Sequence, residues 1–114
     1  MAGCIFNRDA FYSHLDDDKE LASEILEVYL VDAPERLESL LSAMAEQDQA
    51  NAVKYAHALK GISATIRAER MTVLAEKVEQ ASRKGDLCTA NSFVALLGEE
   101  LELVLESVNE CLKS

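Results

Sequence analysis

Tryptophan is absent from this 114-residue chain, proline occurs once and glycine four times. Aromatic residues make up only 5% of it. Strand-and-turn architectures draw on these residue types, and the chain is instead rich in Ala, Leu, Glu and Val, a mixture that favours helix. Basic residues are the second shortage. Eleven Lys and Arg stand against 21 Asp and Glu, for a formal net charge of -10. Nucleic-acid backbones and anionic lipid surfaces are bound by clustered Lys and Arg, so neither is an expected partner. A protein partner presenting basic residues fits the charge, and so does solubility alone.

The three cysteines, Cys4, Cys88 and Cys111, are odd in number, far apart and without CxxC spacing. They suggest neither a disulfide framework nor a zinc site, and a reducing cytoplasm suits them best. No apolar run approaches the ~20 residues of a membrane span, so no direct membrane insertion is expected. Met1-Ala2-Gly3-Cys4 lacks the basic and apolar regions of a signal peptide. The chain reads equally as a free-standing protein or as a domain of something longer. At this length one domain with a single modest core is expected.

The pattern predicts a short helix from about Arg8 to Leu15, interrupted by Asp16-Asp17-Asp18. Asp17 with Glu20 resembles a capping box for the next helix. Apolar residues then recur at Leu21, Ile25, Val28, Tyr29, Ala33, Leu37, Leu40, Leu41 and Met44 in helical phase. The stripe keeps that phase across Pro34, which predicts one long kinked helix rather than two. Asp48 is a candidate cap for a helix over about Gln49 to Ile66. Another is expected from Glu69 to Arg83, with Met71, Leu74, Ala75 and Val78 inward and Gly85-Asp86 as stop and next cap. Val94, Leu97, Leu101, Val104, Val108 and Cys111 form the seam of a last helix. The fold class predicted is all-α: an antiparallel, up-down four-helix bundle with a short extra N-terminal helix.

On a wheel of ~100° per residue, Ala52, Tyr55, Ala56, Leu59, Ile62, Ser63 and Ile66 fall opposite His57. That face is the one to bury. His57 therefore points to solvent, among Val53, Lys54, Lys60, Gly61, Ala64 and Thr65. An exposed histidine on a structural bundle needs no function, but its neighbours are specific. Gly61, one turn on, costs ~1 kcal/mol against Ala in mid-helix, which suggests that something must approach closely there. Lys60 can reach alongside the ring and pair with phosphoryl oxygens as a point charge. A neutral imidazole nitrogen is a competent nucleophile near pH 7. Nucleophile, cation and cleared approach are the minimum equipment for receiving and passing on a phosphoryl group. No nucleotide-binding loop or kinase-like segment accompanies them, and no carboxylate cluster shares the His57 face. Transfer would rely on groups the partner supplies.

His57-Ala58-Leu59-Lys60-Gly61-Ile62-Ser63-Ala64 resembles the His-x-Leu-Lys-Gly signature of histidine-phosphotransfer (HPt) domains, the intermediates of multistep two-component phosphorelays. Asp17 to Tyr29 with Ala33-Pro34, then Leu74, Val78-Glu79 and Gly85-Asp86, are similar to the family's other landmarks in the same order. The resemblance covers essentially the whole chain, as a single domain over 1–114 with a core of about 17–113. It implies that His57 accepts phosphate from an aspartyl phosphate on a receiver domain, through the outer ring nitrogen, and hands it to another receiver. It further implies that Lys60 stabilises the phosphoryl charge and that Gly61 leaves room for the receiver's loop. Ala64 stands where the family often has Gly, Ile62 where a small polar residue is common, and Arg67 where Gly frequently precedes Ala68. Those departures bear on partner specificity.

The expectation is a cytoplasmic, monomeric phosphocarrier without catalytic activity of its own. Its partners would be response-regulator receiver domains and a hybrid sensor histidine kinase. No cofactor or metal is expected on the chain, with Mg2+ on the receiver. Gly61, Ala64, Val53, Lys54 and Arg67 form the expected docking face, Lys54 and Arg67 as a basic rim or merely as solvated residues. Glu79 is assigned no chemical role, since packing or a helix-stabilising pair would account for it. His14 reads as an ordinary surface residue, and Asp16-Asp17-Asp18 as capping rather than a calcium site. Two alternatives remain: a bundle that docks on receivers without phosphotransfer, and the phosphoacceptor dimerisation bundle of a sensor kinase. The second expects an acidic residue after the histidine, where Ala58 stands.

Overall fold

A computed structural model describes residues 6–113, and Met1 to Cys4 lie outside them. The helices are α1 (Arg8–His14), α2 (Lys19–Ala45), α3 (Gln49–Thr65), α4 (Glu69–Arg83) and α5 (Leu87–Lys113). No strand occurs among the described residues. The last four pack in a ring, α2 on α3, α3 on α4, α4 on α5 and α5 back on α2. Short turns join them, as an antiparallel four-helix bundle requires. None of the described helices is long and apolar enough to cross a membrane.

Helix length explains where α1 sits. At 27 residues each, α2 and α5 run about 40 Å and match the 41 Å long axis of the molecule. With 17 and 15 residues, α3 and α4 are much shorter, and α1 packs at the end they leave open. Phe11 is fully buried there. The Asn7 N–H donates to the Arg67 carbonyl in the α3–α4 turn (3.1 Å), and the Tyr12 hydroxyl meets the Cys111 thiol near the end of α5 (3.3 Å). Phe6 and Phe11 thus join the core, ahead of the start near residue 17 read from the sequence.

The turns share one chemistry. After α1, α2, α3 and α4 a residue takes the left-handed conformation: Asp16, Gln47, Arg67 and Gly85, with φ of 53°, 59° being taken by the adjacent Asp17, then 56°, 64° and 76°. In each turn the N–H of Asp16, Gln47, Arg67 or Gly85 and that of the residue after it donate to carbonyls of the last helical turn, as in Gly85 to Ser82 and Asp86 to Ala81. The turn after α1 uses both Asp16 and Asp17, so the cap of α2 moves one residue on. Asp18, not Asp17, accepts from the Leu21 N–H at 3.0 Å. Asp48 and Asp86 cap α3 and α5 as the sequence predicts, accepting from Asn51 and Thr89.

The α5 seam is buried at every predicted position, and α4 buries Met71, Ala75 and Val78 with Leu74 half-buried. The α2 stripe needs correction. One helix does run through Pro34, but Leu21, Val28 and Leu41 are exposed, and the core takes Ala22, Leu26, Tyr29, Ala33, Leu40, Ala43 and Met44. Two neighbouring rows on α2 both carry apolar residues at helical spacing, and periodicity alone does not say which one faces in. Small Ala22 and Ala33 let the partner helices approach, and the larger Leu21, Ile25 and Val28 are displaced into a groove against Ile62, Thr65 and Ile66 of α3.

Candidate functional site

His57 lies in the middle of α3 with its side chain 63% exposed, as the wheel predicts. The opposite face buries Ala52, Ala56, Leu59, Ser63 and Ile66, with Tyr55 and Ile62 half-buried at its edges. A Cβ placed on Gly61 would meet no atom of the described residues within 4 Å, so the space one turn beyond the imidazole is open among them. Ala64 and Thr65 are exposed along the same strip, and Val53 is half-buried. Lys54 is exposed with its ammonium over the Tyr55 ring, 5.5 Å from the centroid. Arg67 lies ten residues along, about 15 Å from His57 by helical rise, in the α3–α4 turn. Its role in the structure is to supply that turn's left-handed residue.

What the sequence reading misses comes from α4. Glu79 is buried, and both its carboxylate oxygens stand 3.2 Å from Nδ1 of His57. The same carboxylate receives Lys60 at 2.9 Å and Arg83 at 2.8 Å. Burial works against its ionisation, but hydrogen bonds from Arg83, Lys60 and His57 outweigh burial and hold its pKa at about 2. An ionised carboxylate only accepts, so Nδ1 must carry the ring proton and donate it. In the neutral ring this fixes the tautomer and makes Nε2 the nitrogen with the free lone pair, and Nε2 has no hydrogen-bond partner among the described residues. Glu79 therefore belongs to the hydrogen-bond network around His57, where the sequence reading assigned it no chemical role. Its signals in the sequence were the resemblance at Val78-Glu79 and the four-residue spacing to Arg83 on a helix, which also marks Arg83 as a site residue.

Lys60 is likewise more constrained than expected. Its ammonium meets Glu76 at 2.7 Å as well as Glu79, so it is tied across to α4 rather than free beside the ring. The Glu76 and Glu79 hydrogen bonds raise the Lys60 pKa, and Lys60 followed by Gln80 lowers that of Glu76. The arrangement is an exposed nucleophilic nitrogen, an open approach and two cations held by two carboxylates. His14 is exposed at the end of α1 and takes no part. Among the described residues no cluster of His, Cys, Asp or Glu is placed to hold a metal.

Comparison with known proteins agrees with this fold. The phosphorelay intermediate protein rdeA of Dictyostelium discoideum is 28% identical over 109 residues, 96% of this chain, and the chain spans 43% of that relative's length. In fold the chain is similar to histidine-containing phosphotransfer protein B (HptB) from Pseudomonas aeruginosa, with a TM-score of 0.91, 20% identity and coverage of 98% of this chain and 97% of that one. A similar likeness holds for the HPT domain of the Hpt sensor hybrid histidine kinase from Shewanella, at a TM-score of 0.85, 24% identity and coverage of 96% and 94%. At these identities the solved structures speak to fold alone. The model of the family described as Hpt domain matches residues 24–110, from α2 to near the end of α5. A bundle of this fold, matched over most of its length, belongs to the Hpt domain family.

Proposed function

We propose that the chain is a phosphorelay intermediate in which His57 accepts a phosphoryl group from a receiver-domain aspartyl phosphate and passes it to another receiver. The observation that carries this reading is the exposed imidazole held by an ionised carboxylate at Nδ1. Nε2 attacks phosphorus, the bond to the aspartyl oxygen breaks, and its electron pair returns to the receiver's carboxylate. The Nδ1 proton stays on the ring, where Glu79 stabilises the positive charge that develops. Lys60 pairs with the phosphoryl oxygens, and Gly61 with Ala64, Val53, Lys54 and Arg67 forms the face on which the receiver docks. The exposed apolar row Leu21, Val28 and Val31 on α2 supports a protein rather than a small molecule as partner.

In this reading the domain turns over no substrate by itself, acts as a monomer in the cytoplasm, and meets Mg2+ only on the receiver. A hybrid sensor kinase supplies the phosphate upstream. The test is incubation with a pre-phosphorylated receiver and Mg2+, using wild type and His57→Gln. The expected result is acid-labile, base-stable phosphate on wild type alone. Equal label on both would move the site to another residue. No label on either, across several receivers, would leave a bundle that docks without transfer.

A further inference from the structure

The two carboxylates beside His57 are not equivalent. Glu79 is 4% exposed and fixed by Arg83, Lys60 and the His57 ring. Glu76 is 41% exposed, one turn earlier on α4, and its other oxygen accepts from the Gln80 amide at 2.9 Å. Water can solvate Glu76 if Lys60 leaves it, whereas no water can replace the ammonium at Glu79 without a desolvation cost. Lys60 has the reach to leave, being a compact charge on a flexible four-carbon stem three residues from His57. The unloaded site is also balanced, since Lys60 and Arg83 offset Glu76 and Glu79. A phosphoryl group adds roughly two negative charges, and Lys60, the cation three residues from His57 on the same helix, is already paired.

We propose that Glu76 is a positioning residue that holds Lys60 in reserve, and that its bond to Lys60 raises the transfer potential of the phosphohistidine. Loading forms the phosphorus–Nε2 bond and breaks the phosphorus–oxygen bond of the receiver, with the proton kept on Nδ1. For Lys60 to follow the charge, its hydrogen bond to Glu76 must be given up for one to a phosphoryl oxygen. Unloading restores it. Glu76 and the phosphoryl group thus compete for one ammonium, which makes the loaded state less favourable. This inference rests on His57 being the phosphoacceptor.

The experiment measures how phosphate divides at equilibrium between the domain and a receiver with Mg2+. It compares wild type, Glu76→Gln, Lys60→Met and the double variant, with melting temperature read alongside. Glu76→Gln keeps the shape and removes the charge. It is expected to raise the ratio of phosphohistidine to aspartyl phosphate roughly two- to fivefold, the range of an exposed ion pair. In the Lys60→Met background the same substitution should change nothing. An unchanged ratio in Glu76→Gln, or an equal rise without Lys60, overturns the proposal even though wild type is labelled. A changed melting temperature with an unchanged ratio marks Glu76 as merely structural and overturns it too. If wild type takes no phosphate at all, the phosphoacceptor reading falls first and this one with it.

Discussion

Gly61 shows a single residue set against helix stability. It lies inside α3, where Gly costs ~1 kcal/mol relative to Ala, and nothing lies within 4 Å of the Cβ it lacks. No packing contact among the described residues demands glycine there. Gly61→Ala is therefore expected to raise the melting temperature by about 4 °C, from the ~1 kcal/mol of restored propensity. A bulky Gly61→Leu would instead fill the approach to His57 and is expected to cut transfer from a phosphorylated receiver at least tenfold, while the fold is kept. Calorimetry and a timed transfer assay read the two effects separately. Unimpaired transfer in Gly61→Leu would remove Gly61 from the docking face. Gly61 is legible in the sequence because the signal is local: glycine in mid-helix, one turn from a histidine on the solvent face.

At the scale of the element, the helix ends carry the information. All of the turns after α1 to α4 use a left-handed residue, yet only Gly85 is glycine. Side chains strain that conformation, by about 1–2 kcal/mol for a single residue without local compensation. Arg67→Gly should relieve it, offset by added freedom in the unfolded chain, for a net gain of about 0.5 kcal/mol. Gly85→Ala should do the reverse and cost about 1 kcal/mol, because the added Cβ meets the Gln49 amide only at 3.8 Å and the penalty is in the backbone. Urea unfolding of both variants checks the pair, and a loss of stability in Arg67→Gly would show that the Arg67 side chain contributes to the turn. The sequence signalled Gly85 as a stop through its residue type. Asp16, Gln47 and Arg67 carried no such signal, since they reach the same conformation only because short turns between packed helices leave no alternative.

Across the whole molecule, α3 and α4 are cross-linked by charge at Glu79 as well as by apolar packing. With its pKa lowered from the ordinary 4.5 to about 2, Glu79 binds its proton more weakly folded than unfolded. Its contribution to stability is thus fully present above about pH 4.5 and is lost as pH falls through 2. Glu79→Gln should melt below wild type at pH 7, and the gap should close between pH 4.5 and 2. A constant gap across that range would mean that the deficit comes from packing, not from charge. Two further polar ties join α2 to α3 and α4 to α5. The Tyr29 hydroxyl and Ser63 lie 2.9 Å apart in the core, and buried Glu100 faces Arg70 at 3.6 Å. Burial, with Glu100 nearby, raises Tyr29 to about 12 although its bond to Ser63 lowers it.

Composition, caps and apolar spacing were enough to determine the helical class, the order and approximate bounds of the helices, the α5 seam and the outward aim of His57. Each of these depends on neighbours within about a turn in the chain, which is the range over which spacing reports geometry. The tertiary structure alone decided the rest. It chose between the two apolar rows of α2, since that choice depends on which helices lie on either side. It drew Phe11 into the core by leaving α3 and α4 short of the bundle's end. Above all, it carried Glu79 and Glu76 from α4 to His57 and Lys60 on α3, across 22 and 16 residues of chain. No periodicity within one helix encodes a partner on the next, so the tautomer of His57 and the tether on Lys60 exist only in the folded bundle.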